Sequence, residues 1–195
     1  MKIELSDFVP HHTFDCGQCF RWTPEPDGSY TGVAGGRAVK ISSDGTSVEL
    51  GGCTEEDYSA FWEKYLDVQR DYGAIKRAVS VNDTMRRAVE YGGGIRILRQ
   101  EFFETLISFI ISQRSSIPKI RSCVEKLCTL YGKKISFNGK TLHAFPSAEV
   151  LAHLSEEDFR AIGVGYRAPY ILSAAKKVAG GEISGSDLGK CETGK

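Results

Sequence analysis

A chain of 195 residues can form one large domain or two small ones, and 41 % hydrophobic residues is enough for a packed core, which excludes a disordered chain. Zero formal net charge gives no reason to expect nucleic acid, but the charge is uneven. Residues 1–90 hold ten Lys+Arg and fifteen Asp+Glu, and residues 91–195 hold fifteen and ten, so the second half is the one suited to face a polyanion. Glu4 and Asp7 stand where a signal peptide needs an apolar stretch, and the longest near-apolar run, Leu106 to Ile111, is too short to span a bilayer. A soluble intracellular chain with no membrane partner is expected. The cysteines are Cys16, Cys19, Cys53, Cys123, Cys128 and Cys191. With no secretion signal they read as free thiols rather than a disulfide scaffold, Cys123 and Cys128 as buried ones.

In chain order, the first fifty residues read as an antiparallel meander. Phe14, Cys16, Phe20 and Trp22 lie in a β-prone stretch, followed by a turn at Pro24–Gly28. Tyr30 to Ala34 is a strand, Gly35-Gly36 a hairpin turn, and Val39, Ile41, Val48 and Leu50 alternate with polar residues around a turn at Ser43-Asp44-Gly45. Thr54 then caps a helix through Tyr58, Phe61, Trp62 and Tyr65, and Asn82 or Asp83 begins another that ends at Gly92. Phe102 to Ile111 is apolar nearly all round, which predicts a helix buried on most faces. Ser115 or Ser116 starts the next helix, which ends at Gly132. Ser147 and Ser155 cap two short helices. Gly163-Val164-Gly165 breaks the chain, and a last helix with Pro169 in its first turn ends at Gly180. This predicts an α+β chain: a β-rich part over residues 1–90, an all-α bundle over 91–183, and an unstructured tail over 184–195.

Three stretches hold side chains that could do chemistry. The first is Cys16-Gly17-Gln18-Cys19-Phe20-Arg21-Trp22. His11, His12, Cys16 and Cys19 have zinc-like donors, but a second ligand pair should lie a dozen residues away, and adjacent histidines on a strand point to opposite faces. No metal is expected. The second is Ser108 to Ile117, where a buried helix runs into polar residues. An enzyme that works on a base must take it out of the stack, and Gln113 and Arg114 have the reach to fill the gap. The third is Phe159 to Tyr170, where Tyr166 and Arg167 at a Gly-x-Gly corner offer a ring for stacking and a guanidinium fork for base edges.

Together, in this order, the three resemble the 8-oxoguanine DNA glycosylases. Gly17-Gln18-Cys19-Phe20-Arg21-Trp22 is similar to that family's Gly-Gln-Ser-Phe-Arg-Trp, and Gly94 to Gln100 leading into Phe109-Ile110-Ile111-Ser112 resembles the entry to its helix-hairpin-helix domain. Ile162 to Ala168 resembles a third motif. The resemblance implies double-stranded DNA containing 8-oxoguanine as partner, base excision with abasic-site cleavage as activity, no small-molecule cofactor, and a cytoplasmic place, on the nucleoid in a prokaryote. The Gly17 carbonyl would sense the hydrogen on N7 that 8-oxoguanine has and guanine lacks. Arg160 and Arg167 would bracket the orphaned cytosine, and Tyr166 would wedge beside it. Arg114 would fill the vacated space. Arg114 departs from the family's usual Asn and Cys19 from its usual Ser.

The family continues with a Leu-Pro-Gly-Val-Gly hairpin, a nucleophilic Lys and, further on, an Asp. Residues 1–195 contain none of these. Lys190 and Lys195 lie in a Gly-rich stretch, and an exposed Lys stays protonated near pH 7. The expectation is a truncated chain with no catalytic residue of its own. The alternatives are an inactive DNA-binding module and, as a third class, a metal or redox protein.

Overall fold

The structure, a computed structural model, describes residues 1–188. It divides into two compact units, one of residues 1–33 and 37–99 and one of residues 34–36 and 100 onward.

The first unit begins with β1 (Lys2–Glu4) and α1 (Pro10–Phe14), followed by β2 (Trp22–Pro24), β3 (Tyr30–Ala34), β4 (Arg37–Ser43) and β5 (Ser47–Gly51). The strands form one sheet in the order β1-β5-β4-β3-β2, with Ile3 opposite Val48, Ile41 opposite Leu50 and Trp22 opposite Gly32. Val39 and Ile41 are buried and Ala38, Lys40 and Ser42 around them are not, a period-2 pattern along β4. The β-prone reading of Phe14 to Trp22 is corrected: Phe14 ends a helix that Pro10 opens, and strand starts only at Trp22. Phe14 reaches the core from that helix by stacking on Trp22, centroids 3.9 Å apart and planes 9° apart. The indole packs closely on β3 at Gly32, where a Cβ would sit 2.4 Å from its ring.

Next come α2 (Glu55–Asp57), a π-helical turn (Tyr58–Trp62) and α3 (Glu63–Tyr65), one continuous helical run. Thr54 caps it through the Asp57 amide. α4 (Tyr72–Val79) was not foreseen, and its cap is Asp71. α5 (Asp83–Tyr91) is capped by Asn82. Residues 94–99 belong with this unit rather than with the helices that follow, because they are bonded to it. The Thr13 hydroxyl donates to Gly94 O (2.9 Å) and accepts from the Arg96 amide (3.2 Å). The Arg99 amide donates to Tyr65 O (2.8 Å). Arg96 is buried, stacks over Tyr72, and donates to the carbonyls of Leu66, Ser6, Asp67, Val68 and Arg70.

The second unit contains α6 (Phe102–Ser112), α7 (Ile117–Tyr131), β6 (Lys134–Phe137), β7 (Lys140–His143), α8 (Ala148–Ala152), α9 (Glu156–Ala161), a 3-10 turn (Gly165–Arg167), α10 (Ala168–Ala179) and α11 (Gly185–Leu188). α10 packs on α8, α9 and α6, around Ile107, Ile111, Val124, Leu127, Leu151, Phe159 and Ile171. Two expectations are corrected. The unit is not all-α, because β6 and β7 pair as a hairpin; Asn138 and Gly139 between them both have positive φ, the conformation a two-residue hairpin turn needs. The stretch from 184 is not wholly irregular either. The Asp187 carboxylate accepts from the Ser184 amide and hydroxyl and sets α11, while residues 189–195 lie outside the described part.

α6 is also less enclosed than its composition implies. Ile107, Ser108 and Ile111 are buried, but Phe109 is 65 % exposed. Phe102, Leu106 and Phe109 face Tyr170, Ala174 and Ile183 across an apolar cleft of about 550 Å³. An exposed apolar cleft binds hydrophobic dyes. The polypeptide of residues 1–195 is therefore expected to enhance the fluorescence of an anilinonaphthalene dye, and Phe109→Ser to remove most of that signal. No enhancement in the parent would show the cleft closed in solution. Among the described residues no helix is long and apolar enough to cross a membrane.

Candidate nucleic-acid interface

In the first unit, Gly17 follows α1 in a loop with φ of +89°, a left-handed conformation that glycine adopts without steric cost. Gln18 holds the loop in place. Its amide nitrogen donates to Thr13 O (2.9 Å) and Arg96 O (2.8 Å), and its amide oxygen accepts from the Leu98 amide (3.0 Å). One side chain thus ties the end of α1 to the extended segment 96–98. Buried Cys19 donates to Phe14 O, while Cys16 is exposed and donates to Thr13 O. These bonds place the Gly17 carbonyl in a loop anchored on both sides. The two histidines lie on α1 rather than on a strand. The His12 Nδ1 accepts from the Gly94 amide (3.2 Å), and burial, with His11 beside it, holds its pKa below the usual value. Among the described residues no group of three or more His, Cys, Asp or Glu is arranged to hold a metal ion.

In the second unit, α6 ends at Ser112, Gln113 is its C-cap, and α7 starts after Ser116. Arg114 has φ of +50°, rare outside glycine and costing roughly 1 kcal/mol or more. The Ser115 amide donates back to Ser112 O (3.1 Å), closing a tight corner. The Ser116 hydroxyl makes no cap bond, so α7 begins without the side-chain cap its sequence suggests.

Gln113, Arg114, Tyr166 and Arg167 are brought together here. The Arg167 guanidinium donates from Nε to Gln113 O (2.9 Å), from Nη2 to Gln113 O and Arg114 O (3.3 Å), and from Nη1 to Val164 O (3.1 Å). It also lies over the Tyr166 ring, 4.5 Å from the centroid, and that ring is 56 % exposed. The fork that sequence reasoning reserves for a base is spent on backbone in this structure. Arg160 is directed elsewhere: it pairs with Glu156 and with Glu157 (3.0 Å) on its own helix, and exposed pairs of this kind are weak enough to exchange for another partner. Lys119 lays its ammonium over Gly163, where a Cβ would come within 2.7 Å of its Nζ. Its neighbour is far along the chain, so no local pattern marks it. The absent side chain of Gly163, within the motif Ile162 to Ala168, is the one available signal.

Residues 1–106 match the 8-oxoguanine DNA glycosylase N-terminal domain, and residues 107–193 match the HhH-GPD superfamily of base excision DNA repair proteins. The N-glycosylase/DNA lyase OGG1 of Arabidopsis thaliana is 30 % identical over 177 residues, covering 88 % of this chain and 48 % of that protein. The structure of MBOgg1 in complex with a low-affinity DNA ligand is 41 % identical with a TM-score of 0.95, covering 98 % of this chain and 67 % of that one. The Clostridium acetobutylicum 8-oxoguanine glycosylase/lyase, in complex with double-stranded DNA containing cytosine opposite 8-oxoguanine, is 35 % identical with a TM-score of 0.93, over 98 % of this chain and 69 % of that one. The chain spans about half the length of the Arabidopsis relative. With a family match over more than half its residues and the α+β fold of these neighbours, the chain belongs to the 8-oxoguanine DNA glycosylase family.

Proposed function

We propose that this chain carries the lesion-recognition part of a base-excision repair glycosylase and abasic-site lyase that acts on 8-oxoguanine in double-stranded DNA. The observation that carries the reading is the corner of the second unit, where Gln113, Arg114 and an exposed Tyr166 ring stand together. Long polar side chains beside a flat ring can enter a duplex and take the place of an extruded base. The Gly17 carbonyl, in its anchored loop, accepts the N7–H that distinguishes the oxidised base. Arg160, released from its two glutamates, reads the base left opposite.

Binding to 8-oxoguanine duplexes, measured by fluorescence anisotropy, tests this. Affinity is expected to exceed that for the same duplex with guanine and to fall steeply with salt as counterions are released. Arg160→Ala is expected to cost roughly 1–3 kcal/mol opposite cytosine and less opposite other bases. Equal affinity for damaged and undamaged duplexes would overturn the lesion reading. A loss for Arg160→Ala that is the same against all four bases would remove Arg160 from its role.

A further inference from the structure

We infer that Arg167 is a positioning residue: its guanidinium holds the α6–α7 corner in the conformation that presents Gln113 and Arg114, before any DNA is present. The corner has two features that work against it. Arg114 has a left-handed backbone, which a residue with a Cβ adopts only when its surroundings impose it, and Ser116 contributes no side-chain cap to α7. The carbonyls of Gln113 and Arg114 fall where α6 has ended and α7 has not begun, so neither helix ladder takes them up.

Arg167 supplies what the corner lacks. A guanidinium has five N–H groups in one plane, enough to serve several carbonyls at once. Here Nε and Nη2 reach Gln113 O, Nη2 also reaches Arg114 O, and Nη1 reaches Val164 O. The bond to Val164 and the contact with the Tyr166 ring fix the guanidinium from the other side, so it is aimed before it meets the corner. Gly163 and Gly165, both with positive φ, shape the turn that brings residue 167 to this place. The arrangement couples two motifs more than fifty residues apart: the ring of Tyr166 and the side chains of Gln113 and Arg114 keep a fixed relation because one guanidinium is bonded to both segments. A lysine could not replace it, since an ammonium on a flexible stem lacks the planar fork.

The DNA-related part of this inference rests on the reading above, and the test separates the two. The first measurement is amide hydrogen exchange on the polypeptide of residues 1–195 without DNA. Arg167→Ala is expected to raise the exchange rate of the Ser115 amide about tenfold or more, while Ile107 and Ile111 in the same helix stay within about twofold. Arg167→Lys is expected to leave most of that increase in place. Arg114→Gly relieves the left-handed residue, so adding Arg167→Ala to it is expected to raise exchange at Ser115 less than Arg167→Ala does alone. Unchanged exchange at Ser115 in Arg167→Ala, or full protection in Arg167→Lys, would overturn the inference. If Arg167→Ala does not fold, Arg167→Lys alone decides it. The second measurement is anisotropy with 8-oxoguanine duplexes carrying each of the four opposite bases. A corner-holding role predicts an equal loss, about tenfold, against all four; a loss confined to cytosine would assign Arg167 to base reading instead. A parent chain with no preference for damaged DNA would count against the proposed function, and the exchange result would still decide this one.

Discussion

Incubated with an 8-oxoguanine duplex and borohydride, the polypeptide of residues 1–195 is expected to give no covalent protein–DNA band. Excision with strand cleavage through an imine needs an amine aimed at the sugar C1′ and a carboxylate to assist the proton transfers. Resemblance to the family puts that lysine after a Leu-Pro-Gly-Val-Gly hairpin, and no such hairpin occurs within these residues. Lys119, Lys176 and Lys177 are all exposed, whereas a lysine nucleophile is activated by desolvation. Borohydride reduces an imine to a stable amine, so a denaturing gel reads the outcome directly. A version extended by the hairpin, Lys and Asp of a family member is expected to give a strong band. A robust band from residues 1–195 would refute this account and direct attention to those three lysines. The recognition residues proposed above do not depend on the result, so a polypeptide that binds damaged DNA and forms no crosslink fits both expectations.

Arg96→Met is expected to destabilise the first unit by about 3–5 kcal/mol, a large share of the roughly 5–15 kcal/mol that holds a domain together. Arg96 is 2 % exposed and donates to the carbonyls of Leu66, Ser6, Asp67, Val68 and Arg70. Methionine fills much of the volume but leaves those carbonyls without these donors, and a buried unsatisfied acceptor costs about 1–3 kcal/mol. Burial pushes the guanidinium pKa down, against the opposing pull of Tyr72, Asp67 and Asp7. Arg96→Lys is expected to recover part of the loss, since an ammonium has three donors and cannot stack flat on Tyr72. Urea denaturation followed by tryptophan fluorescence measures both, with an unchanged m-value showing that stability alone has moved. A loss below about 1 kcal/mol for Arg96→Met would show the carbonyl cage to be energetically idle. The consequence reaches the site, because the Arg96 carbonyl is one of the groups that anchors Gln18 beside Gly17.

Several elements were legible in the sequence because their causes are local. Turns on either side bounded the strand Tyr30–Ala34, alternation marked the strands around Val39 and Leu50, and Thr54, Asn82, Ser147 and Ser155 announced helix starts that their side chains do cap. The three motifs that carry the family resemblance were also readable as written. The hairpin at Asn138-Gly139 has an equally local signal, which was passed over amid a run of helices. Other features depend on partners far along the chain. Phe14 looks like a strand residue until Trp22 stacks on it, and residues 94–99 look like an approach to a helix until Thr13, Gln18 and Tyr65 bond to them. Phe109 looks like core in an apolar helix, yet burial is set by what packs against each face, and its face borders an open cleft. The part played by Arg167 is of the same kind. Its residue type gives the sequence a cation beside a tyrosine, whereas only tertiary structure directs its donors to Gln113 and Arg114, because backbone carbonyls at the end of a distant helix leave no trace in composition or periodicity.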